Sequence, residues 1–163
     1  MTFISCLMTL LKEKFMKDLF VMFLLLMASA SVRAEVTIDN PWVRATVPQQ
    51  KFTGAFMQIT SSTPARLVAA QSPVAEHLEI HEMKMESGVM KMREVPGLSI
   101  LPGKVVQLSP GGYHVMFMGL KHQVKDGDMV PIKLIFERPD RQNEVVEIKA
   151  IARPLNAGSE KSE

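Results

Sequence analysis

The sequence has 163 residues, with 19 Lys/Arg against 17 Asp/Glu and a single cysteine, Cys6. That length is a prior of one domain. The surplus of positive charge lies ahead of Glu35, so the rest is balanced, with neither the basic surface of a nucleic-acid binder nor an acidic tail.

In chain order, Lys12, Lys14 and Lys17 flank an apolar run from Leu19 to Ala28, and Ser29-Ala30-Ser31-Val32-Arg33-Ala34 follows. A basic start, a short apolar stretch and small residues at a cleavage point read as a signal peptide over residues 1–34, with Val32 at −3 and Ala34 at −1. The apolar run is too short for a bilayer, which takes about 20 residues. Met16 is an alternative initiator, because Met16 to Ala34 alone has the length of a signal peptide. Cleavage would remove Cys6, leaving no cysteine for a disulfide, a thiol redox centre or a nucleophile, and none at the cleavage point for lipid attachment.

From residue 35 the chain reads as short extended segments separated by turn residues. Glu35 to Ile38 is broken by Asn40-Pro41 before Trp42 to Thr46. Further strands are expected at Ala55 to Thr60, Arg66 to Gln71, His77 to Met85, Val89 to Val95, Lys104 to Leu108, Tyr113 to Met118, Met129 to Glu137 and Glu144 to Ala152. Gly and Pro punctuate them, and β-branched runs such as Val130 to Phe136 favour strand over helix. The expected fold is all-β, a Greek-key β-sandwich of about eight or nine strands, occupying residues 35–155 with a small polar tail at 156–163 expected to be disordered.

Chemistry concentrates between positions 81 and 116. His81 is followed after ten residues by Met92, and after twenty-one more by His114 and, one residue on, Met116. Alternation puts His81, Met83 and Met85 on one strand face and His114, Met116 and Met118 on another, two faces that could meet at one end of a sandwich. A hairpin turning at Glu86-Ser87-Gly88-Val89 would set Met83 opposite Met92, Met85 opposite Met90 and Glu82 opposite Arg93, at the cost of opposing Lys84 and Lys91. A single strand methionine is ordinarily core filler. His-x-Met occurring twice among four histidines is a stronger pattern, and thioethers with imidazoles select copper, above all Cu(I). His77 and His122 lack a matching sulfur and read as surface residues. Glu76, Glu79 and Glu82 read as a solvated charged surface, and Ser87 and Ser109 lie in turns without a nucleophile elbow, so an enzyme is disfavoured. Blue-copper electron transfer needs a cysteine ligand and is excluded with it.

These residues resemble the PCu(A)C family of copper chaperones, whose pattern is His, ten residues, Met, twenty-one residues, His, one residue, Met. His81, Met92, His114 and Met116 match every spacing, and the flanks Asn40-Pro41-Trp42-Val43-Arg44-Ala45-Thr46, Gly54-Ala55-Phe56-Met57 and Gly111-Gly112-Tyr113-His114-Val115-Met116 match as well. The resemblance implies a cupredoxin-like sandwich in the periplasm holding one Cu(I) through His81, Met92, His114 and Met116. It also implies delivery toward the CuA centre of a cytochrome c oxidase subunit, alongside a thioredoxin-fold copper or thiol partner. No nucleic acid and no membrane span after signal removal are expected. Copper storage or tolerance, and a metal-free structural sandwich, are the competing readings. Residues 157–163 hold no His or Met, so the second, tail-borne site of some family members is not expected. Met83 is an auxiliary candidate; for Met83 and Met85 packing is the favoured role.

Overall fold

The computed structural model describes residues 36–157. The expected signal peptide and residues 158–163 of the expected tail lie outside them. Asn156 and Ala157 close a turn in which the Ala157 amide donates to the Pro154 carbonyl at 2.9 Å.

Ten strands and no helix occur among the described residues: β1 (Val36–Arg44), β2 (Phe52–Ser61), β3 (Ala65–Gln71), β4 (His77–Glu86), β5 (Val89–Glu94), β6 (Leu98–Ile100), β7 (Val106–Leu108), β8 (Tyr113–Met118), β9 (Met129–Glu137) and β10 (Asn143–Arg153). They hydrogen-bond in the order β5-β4-β8-β7-β2-β1-β10-β9-β3-β6, with β2 also pairing to β8. The sheet doubles over, because β3 also packs against β4 from the far side of that order. Between the layers Val43, Ile59, Leu67, Val115, Phe117, Leu134 and Phe136 form part of one core, fully shielded from solvent. The architecture is the expected all-β, cupredoxin-like sandwich.

Three local features depart from expectation. The first two expected strands are one, β1, carrying a bulge between Asp39 and Trp42. Asn40 takes a left-handed conformation (φ 49°) and Pro41 has no amide to donate, so the ladder slips there and then resumes. β6 is additional. It pairs with β3 through Leu98 and Ile100, and the chain reaches it through Gly97 (φ 148°), where a Cβ would stand 2.8 Å from the Leu67 carbonyl oxygen. β7 is shorter than expected, beginning at Val106.

The β4–β5 hairpin forms as expected. Ser87 and Gly88 both have positive φ (52° and 79°), the signature of a type I′ turn, whose twist suits a two-residue hairpin. That turn fixes the register: Glu82 opposes Arg93, Met83 opposes Met92, Lys84 opposes Lys91 and Met85 opposes Met90.

Candidate metal centre

Strand alternation decides which side chains leave the core. On β4, Ile80 points inward and is buried; on β8, Val115 and Phe117 do the same. The alternate positions, Glu79, His81 and Met83 on β4 and His114 and Met116 on β8, therefore share the opposite face. β4 and β8 are hydrogen-bonded neighbours, and His81 stands directly opposite His114, Glu79 opposite Met116, and His77 opposite Met118. The two His-x-Met segments thus meet side by side within one sheet rather than across the two layers of the sandwich. Met92 joins from β5 on the other side of β4, opposite Met83.

Both imidazoles lie deep in this face, His81 8% exposed and His114 5%. Their ring centroids are 5.7 Å apart with the planes at 72°. Each is held by the residue two positions before it. The His81 Nε2–H donates to Glu79 Oε2 at 2.7 Å, and the His114 Nδ1–H donates to the Gly112 carbonyl at 3.1 Å. Because a carboxylate and a carbonyl can only accept, these bonds set both tautomers. The lone pairs that remain are on His81 Nδ1 and His114 Nε2. The first of these is buried and has no hydrogen-bond partner at all. Fixing one ring nitrogen as donor and leaving the other bare is how proteins orient imidazole for a metal. An orphaned nitrogen in the interior is otherwise a cost.

Aromatic side chains wall the other side. Phe56 lies 6.2 Å from His114 between ring centroids and stacks on Trp42 at 4.4 Å. Gly54 makes this possible, since a Cβ there would sit 2.9 Å from Phe56 Cζ. Arg44 covers Phe56 and Arg153 covers Trp42, each 5.5 Å from the ring centroid. Burial holds the His114 imidazolium below the ordinary histidine pKa of 6.5, the His81 and Arg44 charges add to the effect, and the Gly112 carbonyl partly opposes it. His114 is therefore kept as a neutral donor.

The sulfurs form the rim. Met116 and Met83 are half-buried, while Met92 is 50% exposed. Met85 at 59% and Met90 at 43% are also exposed, so the packing role expected for Met85 fails: nothing lies over it to pack against. His77 is exposed, within 3.3 Å of Glu79, and His122 is exposed in the turn after β8. Glu82 faces away from the imidazoles, bonded to Arg93, which holds its carboxyl below the usual range. Glu79 is the residue that sequence reasoning placed wrongly, as plain solvated surface. Its position two before His81 on a strand was the available signal. Among the described residues no group of three or more His, Cys, Asp or Glu is disposed to hold a metal. A concavity lined by Gln71, Ser72, Pro131 and Lys149 includes none of these residues.

The sequence pattern of the LpqE-like lipoprotein family matches residues 36–148. The chain belongs to the LpqE-like family. A protein of Leifsonia xyli subsp. xyli named as a lipoprotein, Lxx21020, is 35% identical over 104 residues, which are 62% of this chain. The match spans 61% of that relative, so the chain covers about three fifths of its length. Among solved structures, CuI-DR1885 from Deinococcus radiodurans is 30% identical, with a TM-score of 0.58 over 80% of this chain and 87% of that one. The copper-bound PCuAC domain from PmoF2 has a TM-score of 0.60 over 73% of this chain and 92% of its own, at 21% identity, a likeness of fold. The PCu(A)C resemblance carried by the sequence spacings holds in three dimensions. This LpqE-like protein is thus homologous to a domain solved with Cu(I).

Proposed function

We propose that this protein is an exported copper chaperone that carries one Cu(I) as cargo, bound by His81 Nδ1, His114 Nε2 and the sulfurs of Met92 and Met116. The observation that carries this reading is the unpartnered, buried Nδ1 of His81 on the same face as the bare Nε2 of His114. Two neutral imidazoles and two thioethers leave the complex with the single positive charge of the ion, a set suited to a soft monovalent cation and poor for Zn(II), which favours thiolate and imidazole.

Transfer follows from the asymmetry of the ligands. The imidazoles are clamped and buried, whereas Met92 is exposed on a hairpin strand and is the ligand an incoming acceptor reaches first. An acceptor thiolate would displace Met92, then Met116, and draw the ion off the imidazoles by ligand exchange, with no covalent bond of a substrate made or broken. A CuA-containing oxidase subunit or a thioredoxin-fold thiol partner in the periplasm fits that chemistry. Storage or tolerance would use the same site without the acceptor. Among the described residues no helix is long and apolar enough to cross a membrane.

The test is anaerobic Cu(I) titration against a chromophoric chelator. Wild type should take one tight equivalent, and His81→Gln/His114→Gln should lose it while keeping its circular dichroism spectrum. Retained tight binding in the folded double variant rules the ligand assignment out. Measuring copper passage from the loaded protein to a CuA-domain acceptor then separates delivery from storage.

A further inference from the structure

Beyond Ile80 the β4–β5 hairpin leaves the core and runs out as a two-stranded ribbon, and every residue of β5 is exposed. Its two faces are chemically opposite. One carries Glu82, Lys84, Glu86, Lys91 and Arg93, with Val89 at the tip opposite Glu86, Arg93 Nη2 donating to Glu82 Oε2 at 2.6 Å, and Lys91 paired to Glu86 at 3.2 Å. The other carries His81 opposite Glu94 at its base and, beyond them, only methionine: the Met83–Met92 rung and, one step nearer the tip, the Met85–Met90 rung.

A core does not explain this face, because no core lies over it. Strand stability does not explain it either, since β-branched and aromatic residues serve an exposed strand better. What two opposed methionines do supply is a pair of soft donors on flexible stems. Directly opposite residues have Cβ atoms about 5 Å apart, within reach of one ion between the two sulfurs. The rung at Met83 lies two residues from His81 on the same face, so the thioethers form a continuous path from the tip to the buried imidazoles.

We propose that Met85 and Met90, assisted by Met83, form a second and weaker site for a soft monovalent cation, Cu(I) or Ag(I), at the tip of the hairpin. The ion moves from there to the His81/His114 centre by successive thioether exchange, passing from Met83 to its cross-strand neighbour Met92. The inner destination rests on the function proposed above; the tip site does not.

The test uses Ag(I), which is redox-inert, titrated into the whole protein with 13C-methyl-labelled methionine and followed by NMR. Two phases are expected. The first equivalent shifts the Met92 and Met116 methyls, and the second, weaker one shifts Met83, Met85 and Met90. Met85→Leu/Met90→Leu, at exposed positions where the fold is indifferent, should abolish the second phase and leave the first. His81→Gln/His114→Gln should abolish the first and leave shifts at Met85 and Met90. A saturating titration that never moves the Met85 and Met90 methyls, or a second phase that survives the Met85→Leu/Met90→Leu change, overturns the tip site alone. A tip phase with no inner phase in wild type supports the tip site and overturns the function proposed above instead.

Discussion

Glu79 grips the His81 ring by one carboxylate oxygen at 2.7 Å while its other oxygen lies 3.3 Å from His77. Strand alternation alone puts Glu79 and His81 on one face, and the hydrogen bond turns the His81 Nδ1 lone pair inward. Glu79 is therefore a positioning residue for the proposed copper site. Glu79→Ala should weaken Cu(I) binding about 10- to 100-fold, the range for loss of a carboxylate behind a metal-bound imidazole. Glu79→Gln keeps an acceptor oxygen and should recover most of that loss. Equal affinities for wild type and Glu79→Ala in the chelator competition would leave Glu79 a bystander.

Met92 and Met116 offer the same donor atom in different surroundings, one exposed and one half-buried. Replacement by Leu conserves volume and should cost less than about 1.5 kcal/mol of stability at Met116, and less still at Met92. Each change should nevertheless lower Cu(I) affinity by at least about tenfold, ~1.4 kcal/mol. Thermal unfolding of the apo forms checks the first number and chelator competition the second. If affinity fell only in step with stability, the sulfurs would be packing atoms after all.

Much of this was legible in the sequence because it depended on local rules. Alternation separated Ile80 from His81 and Val115 from His114, and a two-residue turn at Ser87-Gly88 left one register for the hairpin, which the structure shares. What escaped was non-local. That His81 would oppose His114 depends on pairing between strands separated by four turns and three other strands, which no window of sequence records. The clamp on His81 escaped because a glutamate on a polar strand is ordinarily solvated, and only depth distinguishes this one. Met85 reads as packing in the sequence because an apolar residue on a strand usually has a layer beneath it; here the hairpin outruns the core. Asn40-Pro41 reads as a strand end, since Pro41 removes a donor, but a bulge absorbs the break.

Gly97 supplies a control for stability without affinity. Its φ of 148° and the 2.8 Å approach of a would-be Cβ to the Leu67 carbonyl oxygen leave no room for a side chain between β3 and β6. Gly97→Ala should cost on the order of 1–3 kcal/mol, the scale of a strained backbone position. Gly97 offers no donor atom and the proposed ligands stand on β4, β5 and β8, so Cu(I) affinity of the folded variant should stay near the wild-type value. A drop in affinity at a temperature where the variant is fully folded would show that strain at the β5–β6 link reaches the site through Glu94 and the Val95–Ile80 backbone bond.

Acid should act on this protein through His114 before it acts on the carboxylates. Burial lowers its pKa from the ordinary 6.5, so the folded state holds fewer protons than the unfolded one below that value. The sign follows: the apo protein keeps the full benefit of a neutral His114 above pH 6.5, loses it as pH falls toward the depressed folded value, and levels off below. Glu82, also depressed but from 4.5, is lost only in stronger acid, so its contribution stays in place between pH 7 and about 5.5. Melting temperature should fall across that interval in wild type and fall less in His114→Gln. Copper binding should shift in the same direction, since protons and Cu(I) compete for His114 Nε2, yet persist somewhat below pH 6.5 because the buried ring resists protonation. A wild-type melting curve no steeper from pH 7 to 5.5 than that of His114→Gln would contradict the burial argument for this ring.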